Sequence, residues 1–346
     1  MTTAYINRIA TAVPSRDVHE RFVRFGRDML REDAERTARF ERMVEMCGIE
    51  HRYSCMADIE DFYLRNGSFP STAERMRAFE THAPELAAAT VERLGADLSS
   101  VTHLVITSCT GFSAPGVDME LIKRCGLSGS VERVLIGFMG CYAAINALKV
   151  ARHIVRSEPA SRVLVVNLEL CTLHLRETTD LEALLGFLLF ADGCAACLVT
   201  SEPHGIAIEG FRALLVPETD ELMTWDIRDT GFEMGLSPRV PGAIRHALNG
   251  GLEEILDGAS PAAIDLWAVH PGGRSILDAV QRALQLAPSA LAASRDVLAR
   301  YGNMSSATVM FVLEALQRAT PRSAAGLAMS FGPGLVAETM RFTTVV

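Results

Sequence analysis

The sequence VLIGFMGCYAAINALKVARHI, residues 134–154, joins a short apolar run to a helical pattern through two glycines. We expect a buried strand that ends at Gly137 and a helix that begins at Cys141. A thiol at a helix N-terminus meets free N–H groups and the positive end of the macrodipole, and both favour the thiolate. Gly140 permits a sharp turn and the close approach of a carbonyl group. Cys141 is therefore a candidate nucleophile, although most free cysteines are buried structural residues.

Further short apolar runs alternate with helical patterns along the chain. Continuous rather than alternating apolarity is typical of strands that are buried on both faces. The runs therefore predict a layered α/β fold. Besides residues 134–136, they are residues 104–107, 163–168, 195–199, 266–269 and 326–329.

Two longer helical patterns come early in the chain: residues 20–52 predict one amphipathic helix, and residues 71–94 predict a second that breaks near Pro84. The segments THLVITSCTG (102–111) and IDLWAVHPGG (264–273) are alike, since each is a strand that leads into a small-residue turn with a polar group. This internal similarity indicates a duplicated α/β unit. We place the boundary in the polar segment SEPHG, which divides the chain into residues 1–203 and 204–346.

The composition excludes several classes of protein. The chain has 346 residues and a net charge of −9, which argues against nucleic-acid binding, because phosphate contacts need a basic face. The most apolar long window, residues 181–199, is broken by Glu182 and Asp192 and is too short to span a bilayer. Of the eight cysteines, Cys194 and Cys197 form a CxxC, but no second Cys pair and no His pair complete a zinc site. The N-terminus lacks the apolar run of a signal peptide. We expect free thiols and a cytoplasmic protein.

Two other segments supply groups that could act with Cys141. His270, in LWAVHPGGRSIL, ends a predicted strand beside glycines that expose the backbone. Asn303, in RYGNMSSATVMFVL, precedes a helix and could also cap it. A lone histidine is more often structural, but the three groups together have a chemical logic. An imidazolium would stabilise a thiolate that attacks a thioester, and the His and Asn N–H groups could both donate to one enolate oxygen.

These segments resemble the type III polyketide synthases, the chalcone and stilbene synthase-like family of the thiolase superfamily, and especially its bacterial members. GFMGCYAA, AVHPGGRSIL and YGNMSSATVMF stand in the family's order, as do TSCTGFSAPG, LFADGCAA and SFGPGLVAET. The resemblance covers about residues 36–339. It implies an αβαβα five-layer thiolase-like fold built from two similar halves, a homodimer, and no metal or organic cofactor. Met139 stands where family members reach into the partner's cavity.

The resemblance also implies an activity. The protein would be an acyltransferase that loads an acyl-CoA starter on Cys141, extends it by decarboxylative Claisen condensation with malonyl-CoA, and cyclises the product. His270 and Asn303 would bind the malonyl thioester carbonyl and promote decarboxylation. The CoA thioesters are substrates, and Arg39 and Arg42 fall where the family contacts CoA phosphates. A third basic position of the plant members falls on Met46.

A further set of residues would surround the substrate. Phe190 falls at the family's gatekeeper position between the CoA tunnel and the cavity. Cys109 and Cys171 stand in place of threonines of the plant enzymes, Trp225 in place of a glycine, and Met234 in place of a second gatekeeper phenylalanine. The remaining residues implied to bind substrate are Thr110, Gly186, Ser305, Phe331 and Pro333.

The walls of this cavity suggest a product. Soft thiols, Met234 and an absence of charge suit an alkyl chain, so we expect a fatty acyl starter and an alkylpyrone or alkylresorcinol. The alternative is malonyl-CoA as its own starter, which would give tetrahydroxynaphthalene or phloroglucinol. An initiating β-ketoacyl carrier-protein synthase shares the fold and the catalytic residue types, but the GNMSSA and FGPGL loops disfavour it. A cysteine hydrolase of the Cys-His-Asn type is a further alternative. A thiolase is disfavoured because it needs a second catalytic cysteine near the C-terminus and no cysteine follows Cys197. An inactive scaffold is disfavoured because all three catalytic positions are intact.

Overall fold

A computed structural model of the chain describes residues 2–56, 58–64, 68–256, 258 and 260–345. Every helix in these residues is too short or too polar to cross a membrane. The strands are β1 (Ala4–Ala12), β2 (Arg16–Asp17), β3 (Tyr53–Ser54), β4 (His103–Ser108), β5 (Glu132–Gly137), β6 (Val163–Leu170), β7 (Asp192–Thr200), β8 (Gly205–Leu215), β9 (Met223–Arg228), β10 (Gly231–Leu236), β11 (Leu266–Val269), β12 (Ala324–Gly332) and β13 (Val336–Val345). The helices are α1 (His19–Leu30), α2 (Ala34–Cys47), α3 (Ile59–Leu64), α4 (Thr72–Glu92), α5 (Val117–Cys125), α6 (Ala143–Ser157), α7 (Leu181–Leu189), α8 (Val240–Ile255), α9 (Arg274–Ala283), α10 (Ala292–Tyr301) and α11 (Thr308–Ala319).

One large sheet carries the same strand order twice. Its strands run β11-β12-β13-β8-β1-β7-β6-β4-β5. On one side β1, β7, β6 and β4 are neighbours, with β6 and β4 parallel and the other pairs antiparallel. On the other side β8, β13, β12 and β11 repeat this arrangement, with β12 and β11 parallel. The structure confirms an α/β fold of two similar halves, and residues 102–111 and 264–273 contain corresponding strands.

Helices cover both faces of each half of the sheet. Helices α6 and α11 lie in a middle core with strands of both halves, through residues such as Leu148, Phe311 and Ala328. A second core packs α1, α4 and α7 on the outer face of the first half, and a third packs α8 and α9 on the outer face of the second. With the two halves of the sheet as separate layers, the order helix, half-sheet, helix, half-sheet, helix gives the five layers that the resemblance implied. Within β4, Val105 faces the middle core and Leu104 the outer one, so the strand is buried on both faces.

Strand β5 differs from the expectation that it is buried on both faces. It lies at the end of the sheet, and among the described strands it pairs only with β4. Val134 is 41% exposed and Leu135 is 53% exposed. The prediction was wrong because a short apolar run does not show whether the strand that it forms lies inside the sheet or at its edge.

The first helical pattern forms two helices rather than one. The side chain of Asp33 accepts a hydrogen bond of 2.9 Å from the Arg36 N–H and so caps the start of α2. The helix ends at Cys47 and is capped by Gly48, whose φ of 71° is left-handed. The apolar periodicity continues across the break, and Asp33 was the signal that the sequence reading did not use.

The second helical pattern is unbroken, contrary to the expectation. Helix α4 runs through Pro84, which is buried. A capping box between Ser71 and Glu74 fixes the first turn. Phe79 and Ala87 on the same helix are buried in the outer core. Tertiary packing therefore outweighs the one backbone hydrogen bond that the proline cannot make.

Candidate active site

Cys141 lies in a tight turn between β5 and α6. The turn is a 3-10 helix, Gly140–Tyr142, so the α-helix begins two residues later than the sequence predicted. Phe138 and Gly140 have positive φ values of 55° and 69°. A Cβ at Gly140 would overlap the ring of Pro333, so only glycine fits at this position. The close contact seats the loop that carries Pro333 against the turn that carries the thiol.

A narrow cavity of about 70 Å³ opens beside Cys141. It lies between the ends of strands, α7 and the β9–β10 hairpin. Most of the residues that the sequence assigned to the substrate line it, although they come from segments far apart in the chain. These lining residues are Cys109, Thr110, Cys141, Cys171, Gly186, Phe190, Trp225, Met234, Ser305 and Pro333.

His270 lies at the end of β11 and is 1% exposed. Its backbone N–H donates to the Met329 carbonyl oxygen at 2.8 Å, which fixes the residue to the sheet. In contrast, neither ring nitrogen has a hydrogen-bond partner among the described residues. Buried polar groups are usually paired, so an imidazole with two free nitrogens is suited to bind a substrate.

Asn303 is fixed by both its backbone and its side chain. Its N–H donates to the Leu189 carbonyl at 2.8 Å, and its carbonyl accepts from the Ala191 N–H at 2.9 Å. The side-chain Oδ1 accepts from the Ser305 N–H at 2.9 Å, and Nδ2 donates to the Gly272 carbonyl at 3.3 Å. The amide therefore both caps the following turn and presents its NH₂ group next to the strand end that carries His270.

The thiol and the amide are brought together. Cys141 Sγ lies 3.8 Å from the Ser305 hydroxyl. Hydrogen bonds from Ser305 and Asn303 lower the pKa of Cys141, but burial is the largest effect and raises that pKa to about 12. Burial also lowers the pKa of His270 to about 3. Burial therefore opposes the effect of the turn and favours a neutral thiol and a neutral imidazole.

A buried carboxyl group next to these residues was missed by the sequence reading. Glu169 is fully buried at the end of β6. It accepts hydrogen bonds from the Ser306 hydroxyl at 2.6 Å, and from the Cys109 N–H and the Thr110 hydroxyl at 2.9 Å each. Burial raises its pKa to about 7. A glutamate inside the apolar run VLVVNLEL is the signal that could have revealed it.

An aromatic wall forms one side of the cavity, and it includes a second histidine that was missed. His174 stacks on Phe232 with ring centroids 4.2 Å apart and meets Trp225 edge to face at 5.5 Å. Its Nε2 donates to the Thr110 carbonyl at 2.6 Å, and its Nδ1 accepts from the Phe232 N–H at 3.0 Å. Burial lowers the pKa of His174 to about 3, so the ring is a neutral part of the wall.

The cavity is not free of charge, contrary to the expectation. Arg176 and Glu233 both line it and form an ion pair of 2.8 Å. Both side chains are about one-third exposed, at 35% and 31%. The pair joins the segment after β6 to the β9–β10 hairpin. It arises from packing between segments that are far apart in the sequence and belong to none of the motifs.

Some of the predicted residues lie outside the cavity lining. Phe331 is buried in the core of the second half of the sheet. Arg39 and Arg42 lie exposed on α2, where Arg39 forms an ion pair of 2.7 Å with Glu35. The exposed Arg274, which was not predicted, reaches the end of α2, and its Cδ lies 3.6 Å from where a Cβ would stand at Gly48. In the described part of the chain, no group of three His, Cys, Asp or Glu side chains could hold a metal ion.

The fold and this arrangement of Cys, His and Asn define an acyl-transferring enzyme of the thiolase-like type. The chain matches the family model of chalcone and stilbene synthases, N-terminal domain, over residues 2–203. It matches the C-terminal domain of the same family over residues 210–346. The chain therefore belongs to this family and is a type III polyketide synthase, as the sequence motifs indicated.

Individual relatives agree with this assignment over the whole chain. The chain is 34% identical to the alpha-pyrone synthesis polyketide synthase-like Pks18 of Mycobacterium tuberculosis, over 99% of this chain and 92% of that protein. It is similar to the structure of PKS-I from the brown alga Ectocarpus siliculosus, with a TM-score of 0.89 and 30% identity, over 100% of this chain and 99% of that one. The C-terminal type III polyketide synthase domain of Steely1 from Dictyostelium has a TM-score of 0.91 and 26% identity, over 99% of this chain and 100% of that one.

Proposed function

We propose that the protein extends a fatty acyl starter with malonyl-CoA and releases an alkylpyrone or alkylresorcinol. The observation that carries this proposal is the cavity beside Cys141, which is walled largely by thiols, Met234, Phe190 and Trp225. Apolar walls favour an alkyl chain because burial removes its surface from water. The relative named for alpha-pyrone synthesis supports the same class of product.

Loading of the starter begins with a proton transfer. Burial makes a lone thiolate and a lone imidazolium both unfavourable, so the proton of Cys141 moves to His270 only as the thiol attacks an electrophile such as the starter carbonyl. The thiolate attacks the starter carbonyl, and the C–S bond to CoA breaks. The CoA thiolate leaves with the proton that His270 holds, and the acyl chain stays on Cys141.

Extension uses the free N–H donors of the site. An N–H of His270 and Nδ2 of Asn303 donate to the carbonyl oxygen of malonyl-CoA. Loss of CO₂ leaves an enolate whose negative oxygen these donors stabilise. The enolate carbon attacks the thioester on Cys141, the thiolate leaves, and the lengthened chain is carried on CoA. No step calls for a metal or an organic cofactor.

We also propose that the enzyme is a homodimer joined through β5. Val134 and Leu135 present an exposed apolar edge there, and an uncovered apolar strand edge is an aggregation hazard. A two-fold axis beside β5 would place the β5 edges of the two protomers against each other, so that each edge covers the other. Met139 lies just after β5 and would then lie near the partner.

We further propose a cytoplasmic location. All eight cysteines are free thiols, which supports a reducing cytoplasm.

A second candidate is a synthase of small phenolic compounds that uses malonyl-CoA as its own starter. The ion pair of Arg176 and Glu233 on the cavity wall favours it, because charged groups suit a short polar chain better than an alkyl chain. Trp225 also narrows the cavity. In this case the product would be a tetrahydroxynaphthalene or phloroglucinol.

One incubation distinguishes these functions. The protein is given malonyl-CoA with and without a panel of acyl-CoA starters, and the products are analysed by mass spectrometry. A ladder of pyrones or resorcinols that depends on the starter supports the first proposal. A product from malonyl-CoA alone supports the second. Free acid and CoA as the only products would indicate a hydrolase. Turnover that requires a carrier protein would indicate an initiating synthase, and a lack of acylation of Cys141 would indicate an inactive scaffold.

A further inference from the structure

We propose that Arg52 is a positioning residue that holds Phe190 and Asn303 in place for decarboxylation. This inference rests on the proposed function, since it assigns decarboxylation to the site of Asn303. Arg52 lies between α2 and β3 and is fully buried. In the described part of the chain no carboxylate forms an ion pair with it. A buried cation without a counterion destabilises the fold, so packing alone does not account for it.

The guanidinium of Arg52 is held on several sides. Its Nη1 donates to the carbonyl oxygen of Phe190 at 2.9 Å, and its Nε donates to Nδ1 of His19 at 3.0 Å. The plane lies over the ring of Phe22, with 5.1 Å from the guanidinium carbon to the ring centroid. Burial lowers the pKa of Arg52 to about 9, so the group is still charged at neutral pH. The side chain of Arg52 thereby links the N-terminal helices to the backbone of the gatekeeper residue.

The same side chain touches the backbone just before Asn303. Gly302 has a φ of 70°. A Cβ at Gly302 would lie 2.7 Å from Cγ of Arg52 and 2.9 Å from the carbonyl oxygen of Leu189. The Arg52 stem therefore fills the space that a side chain at residue 302 would take. Any displacement of the aliphatic part of the Arg52 side chain would therefore also displace the peptide between Gly302 and Asn303.

Arg52 thus contacts both strands of a two-residue bridge. Phe190 and Asn303 pair as an isolated parallel bridge. The hydrogen bonds of Asn303 to Leu189 and Ala191 hold this pairing. With Nη1 on one segment and Cγ against the other, Arg52 fixes the distance between the gatekeeper and the amide that binds the malonyl carbonyl. Hydrogen bonds to an enolate depend strongly on donor position, so a small displacement is expected to slow the reaction.

The test compares Arg52→Lys with the wild-type protein in a malonyl-CoA decarboxylation assay that measures acetyl-CoA. Lysine keeps the charge but lacks the planar guanidinium group whose nitrogens donate to Phe190 and His19 at the same time. We expect kcat to fall by about tenfold or more and KM to change by less than about twofold, because positioning affects the transition state rather than CoA binding. Alkylation of Cys141 should be unchanged, since Arg52 does not touch its turn.

A matched control is Arg75→Lys. Arg75 is also fully buried and donates to the carbonyl oxygens of Pro70 and Leu173, but it contacts neither segment of the bridge. The Arg75→Lys variant should lower Tm as Arg52→Lys does. Its kcat for decarboxylation should stay within about twofold of the wild-type value. Equal losses of kcat in the two variants would overturn the proposal. So would a folded Arg52→Lys protein with the kcat of the wild type.

A second pair of variants covers the case in which Arg52→Lys does not fold. His19→Leu removes the acceptor of Arg52 Nε and leaves Arg52 present, and we expect kcat to fall by about threefold. His19→Gln restores an acceptor and should restore kcat. If both His19 variants keep the kcat of the wild type, the role of Arg52 is refuted. A wild-type protein that makes neither acetyl-CoA nor polyketide would instead refute the proposed function itself.

Discussion

The indole Nε1 of Trp225 donates a hydrogen bond of 2.7 Å to the carbonyl oxygen of Cys109. The bond joins the β9–β10 hairpin to the end of β4 across the cavity. His174 packs its ring against the same indole. Trp225 is therefore a fixed wall rather than a mobile side chain, and its size sets the room available beside Cys141.

Replacement of Trp225 should change the starters that the enzyme accepts. Trp225→Gly removes the ring and enlarges the cavity, so we expect the preferred acyl-CoA to lengthen by several carbons. Each methylene that gains an apolar contact adds about 0.8 kcal/mol of binding. The measurement is the product profile across acyl-CoA chain lengths. Trp225→Phe, which loses the hydrogen bond but keeps an aromatic ring, is the control, and an identical profile for Trp225→Gly would show that this residue does not shape the cavity.

His270 should determine how fast Cys141 reacts at neutral pH. Burial raises the pKa of the thiol to about 12, so little thiolate exists at pH 7 unless a base takes the proton. We expect His270→Ala to slow alkylation of Cys141 by iodoacetamide about tenfold or more at pH 7. The difference should shrink as the pH rises towards the pKa of the thiol, where hydroxide suffices. His270→Gln, which cannot accept the proton, should behave like His270→Ala, and equal rates in all three proteins would contradict the role of His270 as base.

The continuity of the apolar runs made the fold predictable. A strand covered on both faces must be apolar throughout, so β4, β6, β7, β11 and β12 were recognisable as strands from composition alone. The motifs around Cys141, His270 and Asn303 were recognisable because each combines a reactive side chain with glycines or small residues. The structure shows why at Gly140 and Gly302, where packing leaves no room for a side chain.

What could not be predicted depends on contacts between distant segments. The ion pair of Arg176 and Glu233 exists only because a loop packs against a hairpin far along the chain. The pKa of Cys141 depends on burial, which outweighs the local effect of the turn. The exposure of Leu135 depends on which strand ends the sheet. Local patterns carry no information on these three outcomes.

Basic residues near the end of α2 should bind the phosphates of CoA. Arg39 and Arg42 lie exposed on this helix, and Arg274 reaches its C-terminal end from the segment that follows His270. We expect Arg42→Glu and Arg274→Glu each to raise KM for malonyl-CoA by about fivefold with kcat unchanged, because charge-assisted contacts to phosphate are lost. Arg274 would then compensate for the missing basic residue at Met46.

The control for these variants is a substrate without phosphate. Malonyl-N-acetylcysteamine has the thioester but no nucleotide, so KM for it should be the same in all the arginine variants and in the wild type. Arg21→Glu, an exposed arginine on α1, should leave KM for malonyl-CoA unchanged. A rise in KM for both substrates would mean that the variants disturb the site itself and do not report a phosphate contact.

The exposed edge of β5 should hold the dimer together. Leu135→Asp places a charge in the proposed interface, and a buried unpaired carboxylate is strongly unfavourable. We expect the variant to sediment as a monomer at concentrations at which the wild type is a dimer. Leu215→Asp is the matched control, since Leu215 is 59% exposed on β8, and it should remain dimeric. A dimeric Leu135→Asp protein would place the interface elsewhere.

Glu169 should make the folded protein less stable as the pH rises. Burial raises its pKa from the ordinary value of 4.5 to about 7, so the folded chain holds a proton that the unfolded chain has lost between these two pH values. The stability associated with Glu169 is therefore complete below about pH 4.5 and is lost as the pH rises to about 7, by about 3 kcal/mol in all. Glu169→Gln keeps an acceptor for Ser306 and cannot ionise.

The free energy of unfolding in urea, measured for both proteins at pH 5 and pH 8, tests this prediction. Glu169→Gln should gain stability relative to the wild type between the two pH values, by about 2–3 kcal/mol. Other groups that titrate in this range cancel in the comparison, because both proteins share them. A constant difference between the two proteins would show that the hydrogen bonds from Ser306, Cys109 and Thr110 keep the carboxylate ionised in spite of its burial.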